Sequence, residues 1–246
     1  MKRSHAIPNS SFKKIFSGRQ ARILTNDAET HGNPTNDSWK TYQLCNECEQ
    51  HLNKSYEGYS LLFLRGKKGK KIESDGHITF SELKIEKLQL FFLSIFWRAA
   101  NSEDVAYREI FIPEPWNNEL REYIYKNHFV PLNLMTVKIS RLTYRGKKEG
   151  KTQMILNGMI FKPFYRQLLY NCFAFCFLFE GFFVEIFMPG HGFKAKGVIN
   201  PKKDILVASF LDLFDIPEFK QAASVMDKKL TQEILDNNRL NSNPSI

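Results

Sequence analysis

The run from Leu168 to Met188 constrains the fold more than any other stretch, because it is apolar apart from Asn171, Glu180 and Glu185 and is nearly long enough to cross a bilayer. Two carboxylates within such a span are costly in hydrocarbon. Phe173, Phe175, Phe177 and Phe179 alternate with smaller residues, which is the period of a strand, and Gly181 interrupts the run. Two buried strands joined near Glu180 and Gly181 therefore fit better than one membrane helix.

Strands this apolar need cover, and a chain of 246 residues with 43% hydrophobic and 14% aromatic residues can supply it. A helix is expected over Ser81–Ala100, where Leu83, Leu88, Phe91, Phe92, Ile95 and Phe96 share one broad face. Pro113 and Pro115 punctuate the chain before a second helix over Asn117–Lys126. Further strands are expected at Met135–Tyr144, Gln153–Lys162, Tyr170–Phe179, Phe182–Met188 and Ile205–Phe210. The runs Arg145–Lys151 and Pro189–Gly192 have the composition of hairpin turns, and a last helix is expected over Glu218–Leu235. These elements predict an α+β domain with a mostly antiparallel sheet over residues 80–246.

Residues 1–79 read differently, being rich in Lys, Asn, Ser and Gly with few long apolar runs. So small a unit needs a metal or a neighbouring domain to stay folded. It ends on the basic run Arg65-Gly-Lys-Lys-Gly-Lys-Lys71, whose Lys67, Lys68, Lys70 and Lys71 form either a phosphate-contacting loop or a solvated hairpin tip. The formal charge of +9 favours polyanionic partners, nucleic acid first, because each ammonium set against a phosphate releases counterions. The polar start from Met1 to Gly18 has no continuous apolar stretch, which predicts a cytoplasmic protein with no membrane partner.

Two short stretches carry the chemistry: Ser4-His5-Ala6-Ile7-Pro8, and Leu44-Cys45-Asn46-Glu47-Cys48-Glu49-Gln50-His51-Leu52-Asn53-Lys54. Together they resemble the two ends of a degenerate HNH, or ββα-metal, nuclease-like unit, and with Leu93–Ala100 they resemble an uncharacterised group of bacterial HNH-like proteins. The resemblance implies His5 as general base, Cys45 and Cys48 as half of a zinc site, and a divalent ion such as Mg as cofactor. It implies a metal-dependent endonuclease of bacterial defence or mobile-element biology, in which His5 meets the Cys45–Lys54 segment. The alternative is a non-catalytic interaction protein that keeps the ββα shape for a protein partner.

The departures from the family pattern are specific. Ser4 stands where an acidic residue is common, Lys40 stands near the central Asn, and Glu49 stands where the second Cys is followed by a metal-binding His or Asn. Glu49 and Asn53, one helical turn apart, are the residues left to hold a catalytic metal. Two thiolates alone do not complete a tetrahedral zinc; His31 or His51 would have to close it, and loss of the structural zinc is the favoured branch. Plainer roles stand beside these: His5 as a polar residue near a terminus, and Cys45 and Cys48 as small hydrophobes at a helix start. Cys172 and Cys176 read as core, Trp97 and Arg98 as structural anchors, and His191 as an exposed loop residue.

Overall fold

The computed structural model describes residues 1–16, 23–24, 38–144, 150–168, 172–191 and 194–224. Strand β1 (Lys2–His5) leads through Pro8 into a helix absent from the expectations above, α1 (Asn9–Phe16). The Ser11 N–H closes its first turn on the Pro8 carbonyl at 2.9 Å, as suits a proline that presets the backbone ahead of a helix. After β2 (Ile23–Leu24) comes β3 (Lys40–Leu44), which pairs antiparallel with β1 and sets His5 opposite Lys40.

Cys45 caps a continuous helical stretch formed by α2 (Asn46–Leu52), one wide π turn (Asn53–Glu57) and α3 (Gly58–Leu64). The next hairpin joins β4 (Lys70–Ser74) to β5 (His77–Ser81) around Gly76, whose φ of +73° suits a residue without Cβ. Helix α4 (Ile85–Ala100) starts later than Ser81, because Ser81 still belongs to β5 and Glu82 sits at φ 57°. Then follow α5 (Trp116–Tyr125), β6 (Thr136–Thr143), α6 (Gly150–Asn157) and β7 (Ile160–Gln167). Strands β8 (Phe173–Phe179), β9 (Phe182–Met188) and β10 (Leu206–Asp212) complete the sheet, and residues 217–224 are helical.

Among the described residues the main sheet has eight strands in the order β2-β7-β8-β9-β6-β10-β5-β4, and β1 pairs with β3 in a second sheet of two. The β2–β7 and β6–β10 pairs are parallel and the other neighbouring pairs antiparallel, so the large sheet is mostly antiparallel, as expected. The expected strand Gln153–Lys162 is instead the end of α6 followed by the start of β7. Gly158 stops the helix there, its N–H bonding the Met154 carbonyl at 3.1 Å. The expected turn at Arg145–Lys151 lies largely outside the described residues, as do Gly192 and the final helix beyond residue 224.

The phenylalanine run does form two strands, and the sheet explains its composition. Phe175, Phe177 and Phe179 point to α4, where Phe96 stacks on Phe175 at 4.6 Å and Phe92 lies 6.2 Å from Phe177. Ala174, Cys176 and Leu178 point the other way, into a second buried cluster with Phe161, Phe164, Phe183 and Phe219. Both faces of β8 are covered, so every second residue has no solvent to face. At about 1.5–3 kcal/mol for each large side chain buried, this layer is the main source of stability. No described helix is long and apolar enough to cross a membrane.

The turn between β8 and β9 puts Glu180 at φ 52° and Gly181 at φ 76°, as a two-residue hairpin requires. The Glu180 carboxylate is buried but accepts hydrogen bonds from Ser11, Lys14 and Arg65 at 2.9, 2.8 and 2.7 Å. Burial pushes this carboxyl up, and the Arg65 and Lys14 bonds outweigh it, holding it below its ordinary range. The contact also ties α1 and α3 to the large sheet. A division at residue 79 falls inside β5, and one buried cluster runs from Ala6, Ile7 and Trp39 through α4 to Phe177.

Candidate nucleic-acid interface

Two places in the fold concentrate polar chemistry, the first being the N-terminal unit of β1, β3 and α2. His5 ends β1, with its Nε2 2.9 Å from the Ser38 hydroxyl and its carbonyl accepting from Arg98 Nη1 at 2.7 Å. Arg98 comes from the last turn of α4, is 2% exposed, and lies 3.8 Å from a Glu57 carboxylate oxygen. Its backbone carbonyl takes the Gln43 amide at 2.6 Å. Burial raises the Glu57 carboxyl, Arg98 opposes that rise, and the charge of Glu49 adds to it. Arg98 and Glu57 thus connect His5 on β1 to Glu49 on α2.

Glu49 Oε2 and Arg98 Nη2 are both buried without a hydrogen-bond partner among the described residues, while Asn53 is exposed outside this cluster. No three His, Cys, Asp or Glu side chains gather with metal-ligand geometry among the described residues, and the Arg98 guanidinium lies beside the Glu57 carboxylate. Trp97-Arg98 had the look of a helix-end anchor, and nothing local in the sequence shows that its charge reaches His5.

The thiols form a separate cluster on the outer side of α2. Cys45 is exposed and Cys48 half-buried, with their sulfurs 2.8 Å apart and the Cys48 N–H 3.3 Å from Cys45 Sγ. The thiol and amide hydrogen bonds of Cys48 hold Cys45 below its ordinary range; burial, then Cys45, pushes Cys48 up. The Tyr125 hydroxyl donates to Cys48 Sγ, and its ring stacks on His51 at 5.5 Å. Burial and that bond push Tyr125 up to about 12. His31 lies outside the described residues.

The second place is one end of the large sheet. Lys71, Phe80 and Leu206 form a row across β4, β5 and β10. The loop entering β4 and the loop entering β10 therefore emerge at the same end, about 10 Å apart at a strand spacing of ~4.8 Å. The first carries Lys67 and Lys68, while Lys70 is tied to Glu82 at 2.5 Å and Lys71 to Glu73 at 3.4 Å. The second carries Lys194, Lys196 and Lys203. Among the described residues these three and Lys67 and Lys68 have no ion-pair partner.

A shallow cavity of about 470 Å³ lies beneath the second loop, lined by those three lysines and Asn200 over an aliphatic floor of Leu132, Ile205 and Val207. Gly197 holds the loop rigid: its N–H bonds Val207 and its carbonyl accepts from Ile139, and at φ +88° a Cβ would sit 2.2 Å from the Ile139 oxygen.

No protein-family model matches the chain, and no curated protein or solved structure matches it significantly. Its chemistry is therefore read from its own side chains. The expected basic residues Lys67, Lys68, Lys70 and Lys71 do lie on an exposed loop and edge strand, but Lys70 and Lys71 are engaged by carboxylates. Sequence reading missed Lys194, Lys196 and Lys203. Their signal was the pair of short runs Lys-Ala-Lys-Gly and Pro-Lys-Lys, which gain weight only when β10 pairs with β5.

Proposed function

We propose that this chain is a nucleic-acid-binding protein that takes phosphates on the lysine-bearing end of its large sheet. Its HNH-like N-terminal unit serves as a structural platform rather than a catalytic centre. The observation carrying this reading is the strand register that brings the Lys67–Lys71 and Lys194–Lys203 loops to one end of the sheet. Lysines suit it, since they attract phosphates as point charges without reading a base sequence. Arg98 beside His5 and Glu57 supports the non-catalytic half, because a buried guanidinium opposes a second cation there.

Binding measured by fluorescence anisotropy against salt tests the reading. If Lys67, Lys68, Lys194, Lys196 and Lys203 each meet one phosphate, log K falls against log salt with a slope of about −3.5 to −4.5. Replacing Lys194, Lys196 and Lys203 by Ala lowers affinity by about tenfold or more and takes about 2 to 3 off that slope. Affinity that ignores salt removes the electrostatic basis. Cleavage in Mg²⁺ or Mn²⁺ that disappears in folded His5→Ala and Glu49→Ala variants moves the reading to a metal-dependent endonuclease. Neither binding nor cleavage leaves the protein-partner alternative.

A further inference from the structure

We propose that Cys45 and Cys48 are a redox-active dithiol, which closes to an intramolecular disulfide by exchange with a low-molecular-weight disulfide. Four observations place the pair. Cys45 is exposed, so a small disulfide can reach its sulfur, and Cys48 lies behind it with the sulfurs already 2.8 Å apart. The Cys48 N–H also points at Cys45 Sγ, at 3.3 Å, a contact that favours negative charge on the outer sulfur. Tyr125 donates to the inner sulfur and keeps it at the protein's side of the pair. The ligands that would make the pair half of a zinc site do not assemble among the described residues.

The chemistry runs in two exchanges. Cys45, as thiolate, attacks one sulfur of R–S–S–R; that bond breaks, the first RS⁻ leaves and takes up the proton Cys45 gave to solvent. A mixed disulfide now joins Cys45 to the second RS group. Cys48 then loses its proton and attacks Cys45 Sγ, and the second RS group leaves as thiolate and is protonated to RSH. The protein's two thiols are oxidised to one disulfide, and the small disulfide is reduced to two RSH. Cys172 and Cys176 are buried, Cys172 against His191 Nε2 at 2.9 Å, and they serve as internal controls that do not exchange in the folded chain.

The full chain is equilibrated with mixtures of oxidised and reduced glutathione, free thiols are trapped by alkylation, and the products are located by peptide mass spectrometry. The expected result is loss of two hydrogens in the Cys45–Cys48 peptide, reversed by reduced glutathione, with Cys172 and Cys176 unchanged. In Cys48→Ser the reaction stops at a glutathione adduct on Cys45, forming about tenfold faster than any adduct in Cys45→Ser, whose remaining thiols are half-buried at Cys48 and buried at Cys172 and Cys176. Circular dichroism confirms that both variants keep the fold. Equal adduct rates overturn the assignment of Cys45 as the attacking sulfur. Thiols that stay free at equilibrium with oxidised glutathione overturn the dithiol itself. So does one tightly held zinc per chain that must be chelated before either cysteine can be alkylated.

Discussion

The centre of the large sheet and the N-terminal unit bury polar groups in opposite ways. In the sheet, the two carboxylates of the β8–β9 hairpin are each held by cations: Glu180 by Lys14 and Arg65, Glu185 by Lys138 and Arg166. In and against the N-terminal unit, Gln43 Oε1, Glu49 Oε2, His51 Nε2 and Arg98 Nη2 are buried with no hydrogen-bond partner among the described residues. Unsatisfied buried groups cost stability, so folds keep few of them. The sheet is organised for cohesion. The N-terminal unit carries uncompensated polarity that the sheet's apolar layer must support.

The largest expected effect tests that division of labour. Phe177 is fully buried between Phe175, Phe179 and Phe92, so Phe177→Ala leaves a cavity costing about 3–5 kcal/mol in urea unfolding. Because one buried cluster joins the two regions, the N-terminal unit should lose its structure in the same transition. Circular dichroism and the accessibility of Cys45 to alkylation, followed through one titration, check this. An N-terminal unit that opens well before the sheet breaks the comparison.

The next effect is electrostatic. Removing Glu180 in Glu180→Ala leaves Arg65 and Lys14 without their shared anion; both cations are partly exposed and can be hydrated, so the change should cost about 1–2 kcal/mol. Its folded-state pKa lies below the ordinary value of 4.5, so the carboxylate contributes stability that is complete above 4.5 and disappears as pH falls through the lowered folded value. Glu180→Gln should flatten that acid limb of the stability profile. An unchanged limb shows that other carboxylates govern it.

These two regions were also unequally legible. The alternation of Phe173, Phe175, Phe177 and Phe179, with Gly181 after it, contains the hairpin in a short window, because strand period and turn chemistry are local. The α4 face was visible for the same reason. Met154, Ile155, Leu156, Ile160 and Phe161 suit either a strand or a helix end, and Asn157-Gly158 was the stop signal that separated α6 from β7. The pairing of Cys45 with Cys48 is likewise local. Arg98 under His5 and the two lysine loops were not readable, since the Arg98–His5 bond, 93 residues apart, and the pairing of Leu206 with Phe80 arise only from the topology.

The smallest effect has the opposite sign and separates the regions most cleanly. Glu57 sits in the wide turn between α2 and α3, where burial raises its carboxyl above 4.5, and the nearby Glu49 charge adds to the rise against the pull of Arg98 and Arg65. The folded chain therefore holds the Glu57 proton more tightly than the unfolded chain does. By linkage, its contribution is greatest at low pH and is lost as pH rises from 4.5 through the raised folded value, opposite in direction to that of Glu180. Glu57→Gln cannot ionise, so its stability should fall less than that of the parent over that rise in pH. Urea midpoints taken in steps upward from pH 4.5 read the difference. Equal slopes for the parent and Glu57→Gln would mean that Arg98 compensates Glu57 fully, and that the N-terminal unit is as well balanced as the sheet.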